Sequence, residues 1–442
     1  MPHHANAADL VSACQWLDAI VTGCLKIRFG KAEKVKVAPL LSTGGSSLAR
    51  FIATHKPTDE ELVVLLLALV PHLDPSFFSS IIAGFLPEGG EFPEFGGVRG
   101  KNQRGILPSG ETAQFVVAGG DLKKRLEVQR MLSGDHWFAR LRLIWLDRVP
   151  EGEPAMSGQL VMEPELVEYL TLGKASRPAF SSEFPAEYLE TGMEWEDLVL
   201  HPDTRERIAE LEHWIAHHRT VLDEWGMKRK FKPGYRALFH GPPGTGKTLT
   251  ATLLGKYTGR DVFRIDLSRV ISKYIGETEK NLARLFDKAQ HKEWILFFDE
   301  ADALFGKRTE IRDAHDKYAN QEVAYLLQRI ESYPGVVILS TNQRGNIDDA
   351  FARRFQSIVN FPLPRPEERR QIWERAFPSQ VTIGGDIDWG EIGRRYEITG
   401  AGITNVTQYC IVEALADGSR TVDLPRLHAA VLREYVKDGK VV

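Results

Sequence analysis

The run Gly241-Pro242-Pro243-Gly244-Thr245-Gly246-Lys247-Thr248 spells G-x-x-x-x-G-K-[ST], follows a short apolar stretch and leads through Leu249 into a helical pattern ending near Tyr257. Such a loop binds phosphate because its glycines let backbone N–H groups converge on anionic oxygens. The N-terminus of the following helix adds positive potential. Lys247 is placed to reach the β- and γ-phosphates, and the Thr248 hydroxyl to ligate Mg2+. About 50 residues on, the apolar run Ile295-Leu296-Phe297-Phe298 ends in Asp299 and Glu300. Beside a phosphate loop, Asp299 can hold Mg2+ through water and Glu300 can polarise an attacking water. Alone, the pair reads as an ordinary strand end. Asn342 closes the next apolar run, ILSTN. There a neutral amide can place the water or sense the γ-phosphate, or simply form a turn. Arg353 and Arg354 follow in IDDAFARRFQ. A guanidinium delivered to a neighbouring subunit's γ-phosphate stabilises transition-state charge, while in isolation the two read as a surface pair.

Strand-like apolar runs at Ala237–Phe239, Val262–Ile265, Ile295–Phe298, Val336–Leu339 and Ile358–Phe361 alternate with helical patterns. The spacing predicts an α/β fold, a P-loop doubly wound parallel sheet over residues 191–365. Beyond Pro364 and Pro366 only helical patterns remain, at 367–377, 389–396, 403–416 and 424–436. They predict a C-terminal helical lid domain over 366–442. Residues 1–190 read as a mostly α N-terminal domain, winged-helix-like, that recognises a substrate or partner. Leu10, Cys14, Leu17, Val21 and Leu25 recur at helical spacing, and a second helix starts after Thr58. The Gly- and Pro-rich stretch 85–120 predicts loop with short strands, and 173–192 a linker.

Composition narrows the class. The 442 residues are 43% hydrophobic and 26% charged, which excludes a disordered or fibrous chain. With 56 Lys+Arg against 60 Asp+Glu, the net charge of -4 gives no global drive toward nucleic acid or anionic lipid. The 3 cysteines are too scattered for a disulfide framework. The apolar run Leu62–Val70 is too short to span a membrane, and the N-terminus lacks a secretory signal pattern. The expectation is a cytoplasmic protein without a membrane span.

Taken together, GPPGTGKT, FFDEADALF, STN and the Arg353-Arg354 pair resemble the protein-remodelling clade of the AAA ATPases over about residues 193–416. The resemblance implies ATP and Mg2+ as cofactors, a protein substrate, and a homo-hexameric ring. It makes Asn342 a sensor and Arg353 and Arg354 trans-acting fingers, leaving open which of the two touches phosphate. It also implies that Leu198 and Val199, within Trp195–Val199, line the adenine pocket, and that Gly400 and Ala401 open the lid against the nucleotide. Lys273-Tyr274-Ile275-Gly276 resembles the family's pore loop, in which an aromatic grips an extended peptide by apolar contact. The charged stretch 305–321 is similar to a second pore loop. That stretch, extended through Glu331, and the N-terminal region look most like the AAA ATPases encoded with phage-tail-like contractile injection systems. The alternative function is an ATP-dependent DNA loader whose N-terminal domain binds DNA, which the acidic balance disfavours.

Overall fold

The computed structural model describes residues 2–34, 40, 45–90, 92–181, 184–267, 277–302, 324–342, 352–437 and 439. They fall into two compact units, Met1–Arg177 and Pro178–Val442.

The N-terminal unit is mainly helical with two short antiparallel ribbons, β1 (Val98–Arg99) with β2 (Ile106–Leu107) and β3 (Ile144–Leu146) with β4 (Leu160–Met162). Its centre is the helix Asp59–Leu69, whose residues from Leu62 to Leu69 are all buried. Thr58 and Glu61 form its capping box, satisfying amides that the first turn leaves open. The helix Pro2–Arg28 lays Leu10, Leu17, Val21 and Leu25 of the expected stripe into the same core, with Ala13 buried beside them and Cys14 only partly buried. Among the described helices, its part Asn6–Arg28 is also long and apolar enough to cross a membrane, a property the sequence reading assigned to no segment. Mixed Ala, Cys and Thr hide that property, since no unbroken Leu/Val run stands out. The stretch read as loop with short strands does contain β1 and β2. It also holds the helix Gly110–Ala118, which Ser109 caps by accepting the Thr112 amide at 3.3 Å.

In the second unit, β5 (Glu187–Leu189), β6 (Tyr235–His240), β7 (Val262–Asp266), β8 (Ile295–Asp299), β9 (Val336–Thr341) and β10 (Ser357–Asn360) form one sheet in the order β10-β6-β9-β8-β7-β5. All pairs are parallel except β5 with β7. Parallel strands covered on both faces read as continuous apolar runs, which is why the sequence displays five of them plainly. Successive residues still alternate between faces. Ile295 and Phe297 join one core with Phe239 and Ile338, while Leu296 and Phe298 join the other with Phe263 and Leu339. β5 corrects the linker assignment: Ala186 is fully buried and Tyr188 lies 5.7 Å from Phe263, ring to ring, so this segment finishes the sheet.

The helix Pro366–Ala376 and the helices Trp389–Arg395, Gly400–Ala416 and Leu424–Lys437 enclose a separate core around Trp373, joined by a two-strand ribbon of β11 (Thr382–Ile383) and β12 (Thr421–Val422). The third helix starts three residues before the apolar pattern does, because Thr399 caps it by accepting the Gly402 amide at 3.2 Å.

Trp294 anchors the sheet's second core, 4.1 Å from Phe263 ring to ring, and its carbonyl accepts the Tyr333 hydroxyl at 2.7 Å. Trp294→Ala is expected to cost about 3–5 kcal/mol. Urea unfolding followed by circular dichroism measures this, and a loss below about 1 kcal/mol would contradict the packing.

Candidate functional site: a phosphate loop at the carboxyl edge of the sheet

The strand order places β9 between β6 and β8, so the ends of these three strands converge on one edge. Ligands of open α/β sheets sit at such carboxyl ends. The phosphate loop leaves β6 and enters the helix Lys247–Thr258. Its glycines are required by close approach: a Cβ on Gly241 would lie 2.0 Å from the Phe361 carbonyl oxygen, and one on Gly246 2.9 Å from Leu198 Cδ1. The Thr245 hydroxyl donates to the Pro242 carbonyl at 2.8 Å, bracing the turn.

Lys247 is buried, and its ammonium uses all three donors. It donates to the carbonyls of Gly241 at 2.7 Å and Pro242 at 2.9 Å, and to Asn342 Oδ1 at 3.0 Å. Burial pulls its pKa down, while Asp299 and Asp302 pull it back up. Asp299 ends β8 half-buried, and Glu300 follows it into solvent with φ +53°. That left-handed conformation is costly for a residue with a side chain and is held where the chain must turn sharply. The Glu300 amide donates to Asp299 Oδ1 at 3.1 Å, fixing the carboxylate at the strand end.

A cleft of about 470 Å3 joins these groups. Pro243 to Leu249, Asp299, Glu300 and Asn342 line one part of it. Leu198 and Val199 line another, facing Gly400 and Ala401 of the lid. The Ala401 amide donates to the Gly244 carbonyl at 3.2 Å, so lid and loop are joined directly. The segment that leads into Leu198 is held by Glu194, which accepts from Lys256 at 2.7 Å and from the Tyr257 hydroxyl at 2.6 Å.

The donor set suits the implied cofactors. Thr248 and Asp299 offer hydroxyl and carboxylate oxygens beside the loop, and Mg2+ keeps waters and phosphate oxygens for the rest of its shell. The cleft has an apolar part for a base and a cationic, amide-rich part for phosphates.

Arg353 and Arg354 are exposed and do not line this cleft, and Arg354 pairs with Glu331. Lys273, Tyr274, Ile275 and Gly276 lie outside the described residues, as does all of 305–321. The structure adds Asp302, which the sequence reading did not single out. It accepts from the Thr341 hydroxyl and, at 3.3 Å, from the Asn342 amide, and so orients the end of β9. The available signal was a second carboxylate just past the strand end, three residues after Asp299.

A phosphate loop, an Asp-Glu strand end and an amide-bearing neighbouring strand on one parallel-sheet edge define a P-loop nucleotide hydrolase. Residues 237–363 match the model of the ATPase family associated with various cellular activities (AAA). This part of the chain is an AAA ATPase domain. Relatives include the 26S proteasome regulatory subunit 6A of Saccharomyces cerevisiae, 33% identical over 44% of this chain and 48% of its own length. Proteasome-activating nucleotidase 2 of Halobacterium salinarum is 28% identical over 42% of this chain and 47% of its own length. Protein SAV of Sulfolobus acidocaldarius is 26% identical over 54% and 31% respectively. The chain thus spans about a third to a half of the length of the curated relatives it matches.

Proposed function

We propose that the protein is a cytoplasmic, ring-forming ATPase motor that remodels, unfolds or disassembles protein complexes by drawing them through a central pore. The observation that carries its ATP chemistry is the meeting of Lys247, Asp299, Glu300 and Asn342 on one cleft between sheet and lid. Lys247 holds the β- and γ-phosphates, and Glu300 takes a proton from the attacking water as the bond between γ-phosphorus and the bridging oxygen breaks and ADP leaves. When bound, Mg2+ neutralises phosphate charge; Thr248 and Asp299 hold it.

Six copies would let the finger arginines of one subunit reach the next subunit's γ-phosphate. Either Arg353 or Arg354 can carry that role, since the exposed Arg354–Glu331 pair is a weak one that a phosphate would displace. The names of the relatives, a proteasome regulatory subunit and a proteasome-activating nucleotidase, favour protein over DNA as the substrate. A contractile injection system supplies the complexes that the N-terminal unit selects.

The test is to trap substrate with Glu300→Gln and ATP in the native host and identify what co-purifies. Recovery of nucleic acid without protein would overturn the remodelling assignment. Tyr274→Ala is expected to leave basal ATP hydrolysis within about twofold while removing a grip worth roughly 1–3 kcal/mol per engaged side chain. Remodelling at the unaltered rate would remove Tyr274 from the pore.

A further inference from the structure

The chain that leaves β8 folds back across the end of β9. Pairing of the two strands ends at Phe298 and Leu339. Beyond that pair Glu300 turns the backbone with φ +53°, and the next two residues each take hold of the neighbouring strand. The Ala301 amide donates to the Ser340 carbonyl at 2.8 Å. The Asp302 carboxylate accepts from the Thr341 hydroxyl on Oδ1 and, at 3.3 Å, from the Asn342 backbone N–H on Oδ2. One carboxylate thus closes a bridge from the turn that carries Glu300 to the residue that carries the amide.

Strand β9 does not need this bridge to keep its place. Thr341 is already in register with His240 of β6, and its carbonyl accepts the Gly241 amide at 3.3 Å. Nor does Asp302 line the cleft, unlike Asp299, Glu300 and Asn342. Asn342 has one further hold, the Lys247 ammonium on Oδ1 at 3.0 Å. Once Lys247 turns to phosphate oxygens that hold is given up, and Asp302 still ties Asn342 to the turn. Resting on the reading of this cleft as the ATP site, we propose that Asp302 is a positioning residue, whose carboxylate fixes the spacing between Glu300 and Asn342 and with it the place of the attacking water. The charge of Asp302 also favours the ammonium form of Lys247, so the bridge and the charge have to be tested apart.

The test measures steady-state phosphate release by the full chain and ATP affinity in the Glu300→Gln background. Asp302→Ala is expected to lower kcat roughly 10- to 100-fold, the scale of loss when reacting groups are misplaced by about an ångström, with ATP affinity within about threefold of the parent. Asp302→Asn discards the charge but keeps the bridge: its Oδ1 accepts the Asn342 N–H, and its Nδ2–H donates to the Thr341 hydroxyl oxygen. Turnover in that variant should return to within about threefold of the parent. Glu300 and Asn342 act as a unit in this assignment, so Asp302→Ala added to Asn342→Ala should lower kcat by less than about threefold further. Losses that multiply in the double variant overturn the positioning role, as does Asp302→Asn turning over as slowly as Asp302→Ala. A higher Mg2+ requirement in Asp302→Asn would make Asp302 a metal ligand and overturn it too. If Lys247→Ala and Glu300→Gln both hydrolyse ATP like the parent, the ATP reading of the cleft fails first, and the role of Asp302 with it.

Discussion

A Glu300→Gln protein is expected to bind ATP with near-parent affinity and to hydrolyse it roughly 10²- to 10⁴-fold more slowly. Glutamine keeps the size and the hydrogen-bonding reach of the side chain but cannot accept a proton. Glu300 is exposed just past the end of β8, and its side chain makes no hydrogen bond to the phosphate loop among the described residues, so binding should survive. Its backbone is held at φ +53° by the turn after the strand, a conformation that Gln tolerates no worse than Glu. Steady-state phosphate release and equilibrium binding of labelled ATP, measured on one preparation, separate the two effects. A fall of less than tenfold in turnover would remove Glu300 from the role of general base.

Lys247→Ala is expected to act earlier, on binding. The ammonium is a buried charge that already donates to two carbonyls and to Asn342. Phosphate oxygens would replace these neutral acceptors with charged ones, and hydrogen bonds to charged groups are each worth about 1.5–3 kcal/mol. ATP affinity should therefore drop roughly 10- to 150-fold. Hydrolysis at saturating ATP should fall further, because the same charge stabilises the transferring phosphoryl group. The fold should persist, since alanine is the best helix former at the first turn of Lys247–Thr258 and, among the described residues, Asn342 is the side chain that hydrogen-bonds Lys247. Parent-like turnover in this variant would exclude the cleft as the site of hydrolysis.

The parts of this site that sequence displays are those in which chemistry and position are local. The loop glycines, Lys247 and Thr248 are contiguous, and Asp299 and Glu300 end an unbroken apolar strand. Five buried parallel strands announce themselves by composition for the same reason. The parts that stay hidden depend on distant partners. β5 has three residues and no apolar run, and exists because β7 offers it an edge. The helix Gly110–Ala118 lies in a Gly- and Pro-rich stretch, and its reciprocal Ser109 and Thr112 cap outweighs that composition. Asp302 gains its role only when β9 is laid beside β8.

The hydrogen bond from Ala401 to Gly244 has a mechanical meaning. Gly244 belongs to the loop assigned to the phosphates, and Ala401 is in the first turn of the helix Gly400–Ala416. That helix has 17 residues and so is roughly 25 Å long. Its buried face, Ile403, Val406, Cys410 and Ala414, is packed into the lid core, so a displacement of Gly244 would be passed through Ala401 to the lid as a whole, whose surface this helix shapes with the exposed Val412 and Leu415.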